Sequence, residues 1–407
     1  MNSGVRPTAE SLGFDPADTA FVADPYPCYS RMQEAAPVLW SQSQQMWLVS
    51  RYEDCNRLLR HPSLARVFQR REPEQRWQTF NWLNDHAMLD TEGATHTRMR
   101  RLLSPQFTRT GLADLSDAVN GVCTDLVAQA ADAIASQGVF DLVSVIAEQL
   151  PIRVVCALLG IPPEDQHKTH DWSLAMVRLF EYARSPEDDE RGIQGAEAFA
   201  VYMSKLLEVQ GPAPAAMLTL ANAVEDATLD RREAVANAIL LFNGGTGATI
   251  NALGNGLVLL LADPAQRNAV IEDEAWECAV EEFLRYEAPL QLFERQVVGA
   301  ADDLGLPGVQ SGDRIGLLLG AANRDASRFA DSQTFDPLRP VQPHLTFSAG
   351  THFCLGAPLA RMELQAILRT LLTALPNLNL AGKPEPEHTY VVRGHRRIPV
   401  SQIPMRQ

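Results

Sequence analysis

The chain has 407 residues, of which 46% are hydrophobic and 21% are charged, with 50 acidic residues against 35 basic ones. The net charge of −15 argues against nucleic acid as a partner, because neutralising phosphates requires a basic face. The six cysteines are scattered without Cys-x-x-Cys spacing, which argues against a disulfide framework and against a zinc site.

The N-terminal segment and the apolar runs predict a protein that does not enter a membrane. The first 20 residues lack both a basic start and an apolar core, so neither a signal peptide nor a membrane anchor is expected. We therefore predict a cytoplasmic protein. Since no repeat or flexible linker is visible, we predict one domain over residues 1–407, with residues 1–24 as an N-terminal extension.

Taken in chain order, the elements predict a mainly α fold with small β-sheets. The stretches PVLW and QQMWLVS, separated by residues 41–43, predict a β-hairpin. From about residue 94 the pattern is helical and is punctuated by prolines. Short strands are expected again near residues 295–298, 314–319 and 390–400.

One predicted helix is long enough to cross the whole molecule. Asp230 and Glu233 have the spacing of a capping box and Pro264 ends the helix, which gives about 32 residues or roughly 48 Å. Its glycines each cost up to about 1 kcal/mol relative to alanine. A nearly bare face is expected from Leu241, Gly244, Gly245, Ala248 and Ala252. Such a face suits either a planar ligand or close packing of another helix.

A loop near the C-terminus places Cys354 in a setting that a core cysteine does not need. Gly350 permits a left-handed backbone, Gly356 lets the next helix start close to a flat ligand, and Phe347 can shield the sulfur. The following helix directs its positive end at the sulfur. A lone cysteine is usually inert, but this framing favours a metal-ligating thiolate.

The stretch FSAGTHFCLGAPLAR resembles the haem-binding loop of the cytochrome P-450 family, F-x-x-G-x-x-x-C-x-G. The resemblance runs from about Pro25 to the C-terminus and implies the cytochrome P-450 fold. It implies that Cys354 is the axial ligand of the iron of haem b, where a thiolate favours O–O cleavage. EEFLRYEAP and FDPLRP resemble the family's E-x-x-R network, which implies a structural role for Glu282, Arg285 and Arg339.

The resemblance also implies the residues that contact the haem. THTRMRRLLSPQFT is similar to the helix that clamps the haem, and two propionates require charge-assisted donors. The implied cofactor contacts are His96, Arg100, Arg295, His352, Cys354, Phe347, Gly245 and Gly356. The alternative for the clamping helix is a solvated basic face.

The centre of the long helix departs from the family pattern A-G-x-(Asp/Glu)-Thr. Residues 244–248 align with that pattern, so Gly247 replaces the acid and Ala248 replaces the alcohol that organise proton delivery. Neither side chain can donate or accept a proton. Of the two nearby threonines, Thr249 is placed closer to the haem pocket than Thr246. The predicted catalytic positions are Cys354, Gly247, Ala248 and Thr249.

Three functions are consistent with this departure. The first is a monooxygenase of a small apolar or aromatic molecule in bacterial specialised metabolism, with a substrate hydroxyl or ordered water replacing the relay. The second is non-oxygenating or peroxide-driven oxidation, such as phenol coupling, ring closure or nitration. The third is a haem-binding partner protein with little catalysis.

The resemblance implies a substrate pocket and a set of partners. The pocket residues are Trp82, Leu83, Leu240, Asn243, Leu290, Leu292, Phe293, Val391 and Val392. Besides O2 and a small-molecule substrate, the expected partners are a ferredoxin and its reductase, which would dock near Cys354 through Arg98, Arg101 or Arg361. We expect a monomer with no nucleic acid and no membrane as partner.

Overall fold

The structure is a computed structural model that describes residues 7–208, 211 and 213–402, and it confirms a mainly α protein with small β-sheets. In chain order the α-helices of this part are Thr19–Ala23 (α1), Tyr26–Ala35 (α2), Tyr52–Leu58 (α3), Glu74–Asp85 (α4), Gly93–Leu103 (α5), Ala113–Gln137 (α6), Gln149–Leu159 (α7), Gln166–Arg178 (α8), Pro186–Leu206 (α9), Ala215–Glu225 (α10), Arg231–Ala262 (α11), Pro264–Glu272 (α12), Trp276–Tyr286 (α13), Leu319–Ala322 (α14) and Ala357–Ala374 (α15). The strands are Val38–Ser41 (β1), Met46–Val49 (β2), Leu64–Ala65 (β3), Phe140–Asp141 (β4), Leu292–Val297 (β5), Arg314–Leu318 (β6), Asn379–Leu380 (β7), Glu385–Pro386 (β8), His395–Arg397 (β9) and Pro399–Ser401 (β10).

The largest sheet has five strands in the order β1-β2-β6-β5-β3, with β2 and β6 parallel and the other neighbours antiparallel. The predicted hairpin of β1 and β2 is confirmed, although its turn spans residues 42–45 and not 41–43. Strand β5 begins three residues before the predicted start, and the C-terminal region forms only the short strands β9 and β10.

The long helix α11 is confirmed with the predicted start and end. The Asp230 side chain accepts a hydrogen bond from the Glu233 N–H, and the Glu233 side chain accepts one from the Asp230 N–H, so both halves of the capping box are present. By length and composition α11 could cross a membrane, but 61% of its most apolar window is buried inside the protein.

The two halves of α11 belong to different hydrophobic clusters. The first half of the helix, from Ala234 to Phe242, packs with α4, α8, α9 and α10. The second half, from Ile250 onward, packs with α13 and α15. Leu241 and Leu355 pack against both clusters, so the middle of α11 and the loop after Cys354 lie at their junction.

Candidate active site

The loop before α15 is built around two close backbone contacts. Gly350 has a φ of 70°, and a Cβ at this position would lie 2.7 Å from the carbonyl oxygen of Leu59, so both conformation and space require glycine. The Cys354 N–H donates to the carbonyl of Phe347 at 2.9 Å, which closes the loop. The Phe347 side chain is 9% exposed, and Arg361 lies over its ring at 4.5 Å.

The environment of Cys354 contains groups that oppose a thiolate and groups that stabilise it. Burial raises the pKa of the Cys354 thiol, whereas the backbone N–H groups of Gly356 and Ala357 and the charge of Arg100 act in the opposite direction. A Cβ on Gly356 would lie 4.0 Å from the sulfur, so α15 begins beside it without obstruction. A bound metal cation would supply the missing stabilisation of the anion.

Two histidines and an arginine meet beside this loop. His96 of α5 and His352 are both buried, and their ring centroids are 4.6 Å apart. Burial, with the nearby His352 and Arg100, lowers the pKa of His96 to about 4. Arg100 donates through Nη2 to the carbonyl of Phe353 at 2.8 Å, and His352 Nε2 lies 2.9 Å from Glu92 Oε1.

Arg295 of β5 is a buried cation that forms no ion pair within 4 Å with the residues that the structure describes. It is 3% exposed, and burial, with the nearby charge of Arg66, lowers its pKa to about 9. Nη1 donates to the carbonyl of Glu294 at 3.0 Å, whereas Nη2 is buried and has no hydrogen-bond partner in the described part of the chain. Because an unpaired buried charge is costly, this guanidinium fits a carboxylate ligand such as a haem propionate.

The predicted E-x-x-R residues come together in the interior. Arg285 donates through Nε and Nη2 to the two oxygens of Glu282, both at 2.7 Å. Arg339 Nε approaches the same carboxylate at 3.3 Å. The remaining donors of Arg285 reach the carbonyls of Asn323, Ser332 and Thr334 at 2.9, 3.1 and 3.3 Å, so all five N–H groups are used.

Asn323 connects this network to the cysteine loop. Its side chain donates to the hydroxyl of Thr346 at 2.7 Å and accepts the N–H of Leu345 at 2.7 Å. The Thr346 hydroxyl in turn donates to the carbonyl of Leu284 on α13 at 2.6 Å. The ion pair therefore supports the segment that leads into Cys354.

The open face of α11 differs from the predicted one. A Cβ on Gly244 or Gly247 would meet no atom within 4 Å, so these two glycines face open space. Gly245 instead faces α7, where a Cβ would lie 3.2 Å from Val155, and Ala252 is 1% exposed within the core. The prediction that Gly245 and Ala252 belong to the open face is therefore corrected, because both are used in helix packing.

Polar groups near the centre of α11 are few. The Thr246 hydroxyl donates to the carbonyl of Phe242 at 3.0 Å, so it is turned back onto its own helix. Thr249 is 6% exposed, and no described residue hydrogen-bonds to its side chain. The Asn243 Oδ1 is buried without a partner among the described residues. Ala248 is half-buried and presents only a methyl group.

The structure separates the predicted pocket residues on α4 and α11 into different environments. Trp82 lines an outer groove of about 600 Å³ between α4, α9 and the start of α11, where Arg232 lies 5.7 Å from its ring. Trp82 also packs against the core cluster that contains the first half of α11, and its assignment to the substrate pocket stays a prediction. Leu83 is 3% exposed in the core, and Leu240 is half-buried against the same cluster.

The pocket residues on β5 and the C-terminal segment also divide. Leu292 packs with the N-terminal helices, whereas Phe293 faces the other cluster, because neighbouring strand residues point to opposite sides. The assignment of Leu292 and Phe293 to the substrate pocket stays a prediction, but the two side chains lie on opposite sides of the sheet. Leu290 pairs with Val392, and Val391 is half-buried against the N-terminal cluster.

Two of the three arginines predicted to dock a redox partner are already engaged. Arg98 binds both oxygens of Glu233 at the start of α11, and Arg361 binds both oxygens of Glu281 at 2.6 and 2.9 Å. Only Arg101 of the three is exposed without an ion pair among the described residues. Arg98 and Arg361 therefore serve to join elements.

Comparison with known proteins agrees with this geometry. Residues 276–388 match the family model described as Cytochrome P450. The vitamin D(3) 25-hydroxylase of Pseudonocardia autotrophica is 33% identical over 94% of this chain and 95% of its own length. The chain belongs to the cytochrome P-450 family. The mycinamicin IV hydroxylase/epoxidase of Micromonospora griseorubida is 32% identical over 91% of this chain and 94% of its own.

Solved cytochromes P-450 have the same fold. The structure of CalO2 superposes with a TM-score of 0.86 at 28% identity and covers 97% of this chain and 99% of its own. P450BioI, in complex with acyl carrier protein ligated to hexadec-9Z-enoic acid, also gives 0.86 at 28% identity, with 94% and 99% coverage.

The protein is therefore a haem-dependent monooxygenase, and its cofactor is haem b. The residues present fit that group: the half-buried Cys354 has two backbone N–H groups directed at its sulfur, and Arg295 Nη2 has no partner among the described residues. That Cys354 is the thiolate ligand stays a prediction of the resemblance. The same holds for the propionate contacts Arg295, Arg100, His96 and His352.

Sequence reasoning missed several residues that shape this region. Glu92 binds His352, Arg66 lies 4.9 Å from the Phe293 ring, and Glu181 accepts three backbone N–H groups from residues 390–392. Each contact joins segments that are distant in sequence, so no local sequence pattern predicts it.

Proposed function

We propose that this monooxygenase acts on a small, largely apolar or aromatic molecule in bacterial specialised metabolism. We further propose that the substrate or ordered water supplies the hydrogen-bonding group that α11 lacks. The proposal depends on one observation. Gly247 faces open space and has no side chain, and the neighbouring Ala248 presents only a methyl group, so neither residue offers a hydrogen-bonding side chain. A ferredoxin with its reductase is the proposed electron donor to a cytoplasmic monomer.

Asn243 supports a substrate that bears at least one donor group. It lies four residues before Gly247, which is about 6 Å along the same helix face. A buried amide oxygen without a partner costs about 1–3 kcal/mol, so a hydroxyl that donates to Asn243 Oδ1 would remove this cost. The relatives named for vitamin D(3) and mycinamicin IV are consistent with a mid-sized oxygenated substrate for this chain.

Haem b, when bound, supplies the activation of dioxygen. The chain's own contribution is to hold the sulfur, to exclude water behind Phe347 and to leave room at Gly247 for a hydroxyl or a water molecule. The side chains at positions 247 and 248 cannot donate or accept a proton. We therefore propose that a substrate hydroxyl or a water molecule delivers protons at this point of α11.

The test restores the missing alcohol with Ala248→Thr. With the natural substrate we expect no faster turnover, because the relay is already supplied. With a substrate analogue that lacks the hydroxyl, wild type should lose turnover and Ala248→Thr should recover part of it. Thr249→Ala is measured beside it and tests whether the neighbouring hydroxyl takes part in proton delivery. Faster oxidation of the natural substrate by Ala248→Thr would contradict the proposal.

The same missing pair favours a second candidate, which is peroxide-driven or non-oxygenating oxidation such as phenol coupling, ring closure or nitration. This chemistry requires less proton delivery at the distal side. Turnover with hydrogen peroxide that equals or exceeds turnover with NAD(P)H and redox partners would favour it over the first candidate.

A further inference from the structure

One carboxylate of α13, that of Glu281, binds side chains from both sides of the cysteine loop. Arg361 donates through Nε and Nη2 to its two oxygens at 2.6 and 2.9 Å, and His344 Nε2 lies 3.2 Å from Oε2. Glu281 is only 7% exposed. Burial raises its pKa, but the hydrogen bonds from Arg361 and His344 lower it to about 2, so the carboxylate is ionised. Glu281 therefore connects α13 to a residue before Cys354 and to a residue after it.

Both of these side chains contact the ring of Phe347. The Arg361 guanidinium lies 4.5 Å from the ring centroid, and the His344 and Phe347 ring centroids are 5.9 Å apart. Phe347 is in turn joined to the cysteine, because its carbonyl accepts the Cys354 N–H at 2.9 Å. The position of Arg361 relative to the sulfur is therefore fixed by two contacts, the Glu281 carboxylate and the Phe347 ring.

The charge of Arg361 acts on the sulfur of Cys354. Burial raises the pKa of the Cys354 thiol, whereas the backbone N–H of Gly356 and the charges of Arg100 and Arg361 lower it. The pKa of Arg361 is itself raised, mainly by its hydrogen bonds to Glu281 and to a smaller extent by Cys354. A guanidinium binds a carboxylate through two parallel N–H groups, which fixes its orientation as well as its distance. The Arg361 side chain is 33% exposed, so without Glu281 it is free to turn toward solvent.

Two neighbouring carboxylates of α13 thus have separate partners. Glu282 binds Arg285 and Arg339 in the interior. Glu281 instead binds Arg361 on α15. A substitution of Glu281 therefore leaves the partners of Glu282 in place, and its effect is confined to the neighbourhood of the cysteine loop.

We propose that Glu281 is a positioning residue that holds the Arg361 cation beside the Cys354 sulfur and thereby raises the reduction potential of the bound haem. Reduction adds one electron to the haem centre, so a nearby cation stabilises the reduced form more than the oxidised one. A cation acts more strongly where little water screens it, and the Phe347 ring that Arg361 covers is only 9% exposed. The inference rests on the predicted thiolate role of Cys354 and does not depend on the substrate.

The first experiment is a double-mutant cycle on the reduction potential of the substrate-free holoenzyme, measured by spectroelectrochemical titration. Arg361→Met should lower the equilibrium constant for reduction several-fold, because the cation is lost and a long side chain remains. In the Glu281→Gln background the same change should have a much smaller effect, because glutamine offers Arg361 one oxygen and an NH2 group that cannot accept. An effect that is equal or larger in that background would overturn the proposal.

The matched control for the first experiment is Arg98→Met. Arg98 also binds both oxygens of a carboxylate, that of Glu233, and its side chain is 35% exposed against 33% for Arg361. This pair lies at the start of α11 and not at the cysteine loop. Its removal should leave the reduction potential unchanged. An equal shift in Arg98→Met and Arg361→Met would show a general loosening of the protein and contradict a local effect of Arg361.

Arg361→Lys tests the proposal if the methionine variant does not fold. Lysine keeps the charge, but it cannot form the two-point contact with Glu281 or stack on the Phe347 ring as a planar guanidinium does. The equilibrium constant for reduction should fall below that of wild type, because the cation is no longer held beside the sulfur. A value equal to that of wild type would show that a fixed guanidinium is not needed.

The carbon monoxide spectrum of the reduced wild type separates this inference from the assignment on which it rests. Absence of the thiolate-type absorbance band would remove the thiolate role of Cys354 and with it the proposal. A thiolate band together with an unchanged reduction potential in every variant would contradict the positioning role alone. Neither readout depends on turnover, so failure of the proposed reaction would leave both results interpretable.

Discussion

Glu282 and Arg285 form a two-point ion pair in which each side chain is only 2% exposed. Five other groups complete the arrangement: Arg339 and the Asp336 N–H approach Glu282, and three backbone carbonyls accept from Arg285. Both members of the pair have all their hydrogen-bonding groups occupied. The large energetic effect is therefore expected when one partner is removed, because the other charge then stays buried without compensation.

Replacing Arg285 with methionine should therefore destabilise the protein by about 3–5 kcal/mol, since Glu282 would remain buried without its partner. Urea unfolding of the holoenzyme measures the change. Arg231→Met is the matched control, because Arg231 and Glu208 are 47% and 65% exposed and such a pair is worth about 0–1 kcal/mol. Equal losses in the two variants would contradict this role for the network.

Two glycines of α11 should respond oppositely to the same substitution. Gly247→Ala should stabilise the protein by up to about 1 kcal/mol, because a Cβ there meets no atom within 4 Å and alanine favours a helix. Gly256→Ala should destabilise it by about 1–3 kcal/mol, because a Cβ would lie 2.0 Å from the Phe283 ring. Thermal unfolding of both variants checks the prediction, and changes of the same sign would contradict it.

The identity of the iron ligand is tested by Cys354→Ser. The reduced variant with carbon monoxide should lose the absorbance band that marks a thiolate ligand, because no other cysteine lies in the loop between residues 344 and 356. Cys278→Ser is the control at another half-buried free cysteine and should keep the band. A thiolate-type band that persists in Cys354→Ser would exclude this sulfur as the ligand.

The features that the sequence predicted correctly are local ones. The capping box of Asp230 and Glu233 and the strand pair β1 and β2 each depend on residues within a few positions of one another. The left-handed backbone of Gly350 is also a local feature, because it is set by the compact loop around Cys354 and not by distant residues. Family resemblance supplied the rest of the haem site.

The sequence could not predict which face of a helix or strand points toward the site, nor which distant residues form contacts. Helical spacing gives the angles between positions but not the absolute rotation, which is why Gly245 was placed on the open face although it packs on Val155. Strand alternation likewise separates Leu292 from Phe293 without saying which faces the site. Glu181 and its amide donors are about 210 residues apart, so only the folded chain reveals them.

His170 on α8 is expected to make the protein sensitive to acid. It is 7% exposed, both ring nitrogens lack a partner among the described residues, and burial lowers its pKa to about 4, with Asp171 opposing and His167 adding to the shift. The unfolded chain binds a proton below about pH 6.5, whereas the native protein resists it until about pH 4. Stability contributed by the neutral ring is therefore present above pH 6.5 and is lost as the pH falls toward 4.

The loss through this group should amount to about 3 kcal/mol, at about 1.4 kcal/mol per pH unit for one proton. In His170→Leu the free energy of unfolding should depend less steeply on pH between 6.5 and 4, while stability at pH 7 is unchanged or higher, because an unpaired buried polar group is removed. His167→Leu is the control, since that ring is 87% exposed. Urea unfolding at a series of pH values measures both slopes. A His170→Leu slope equal to that of wild type would show that the imidazole does not resist protonation in the fold.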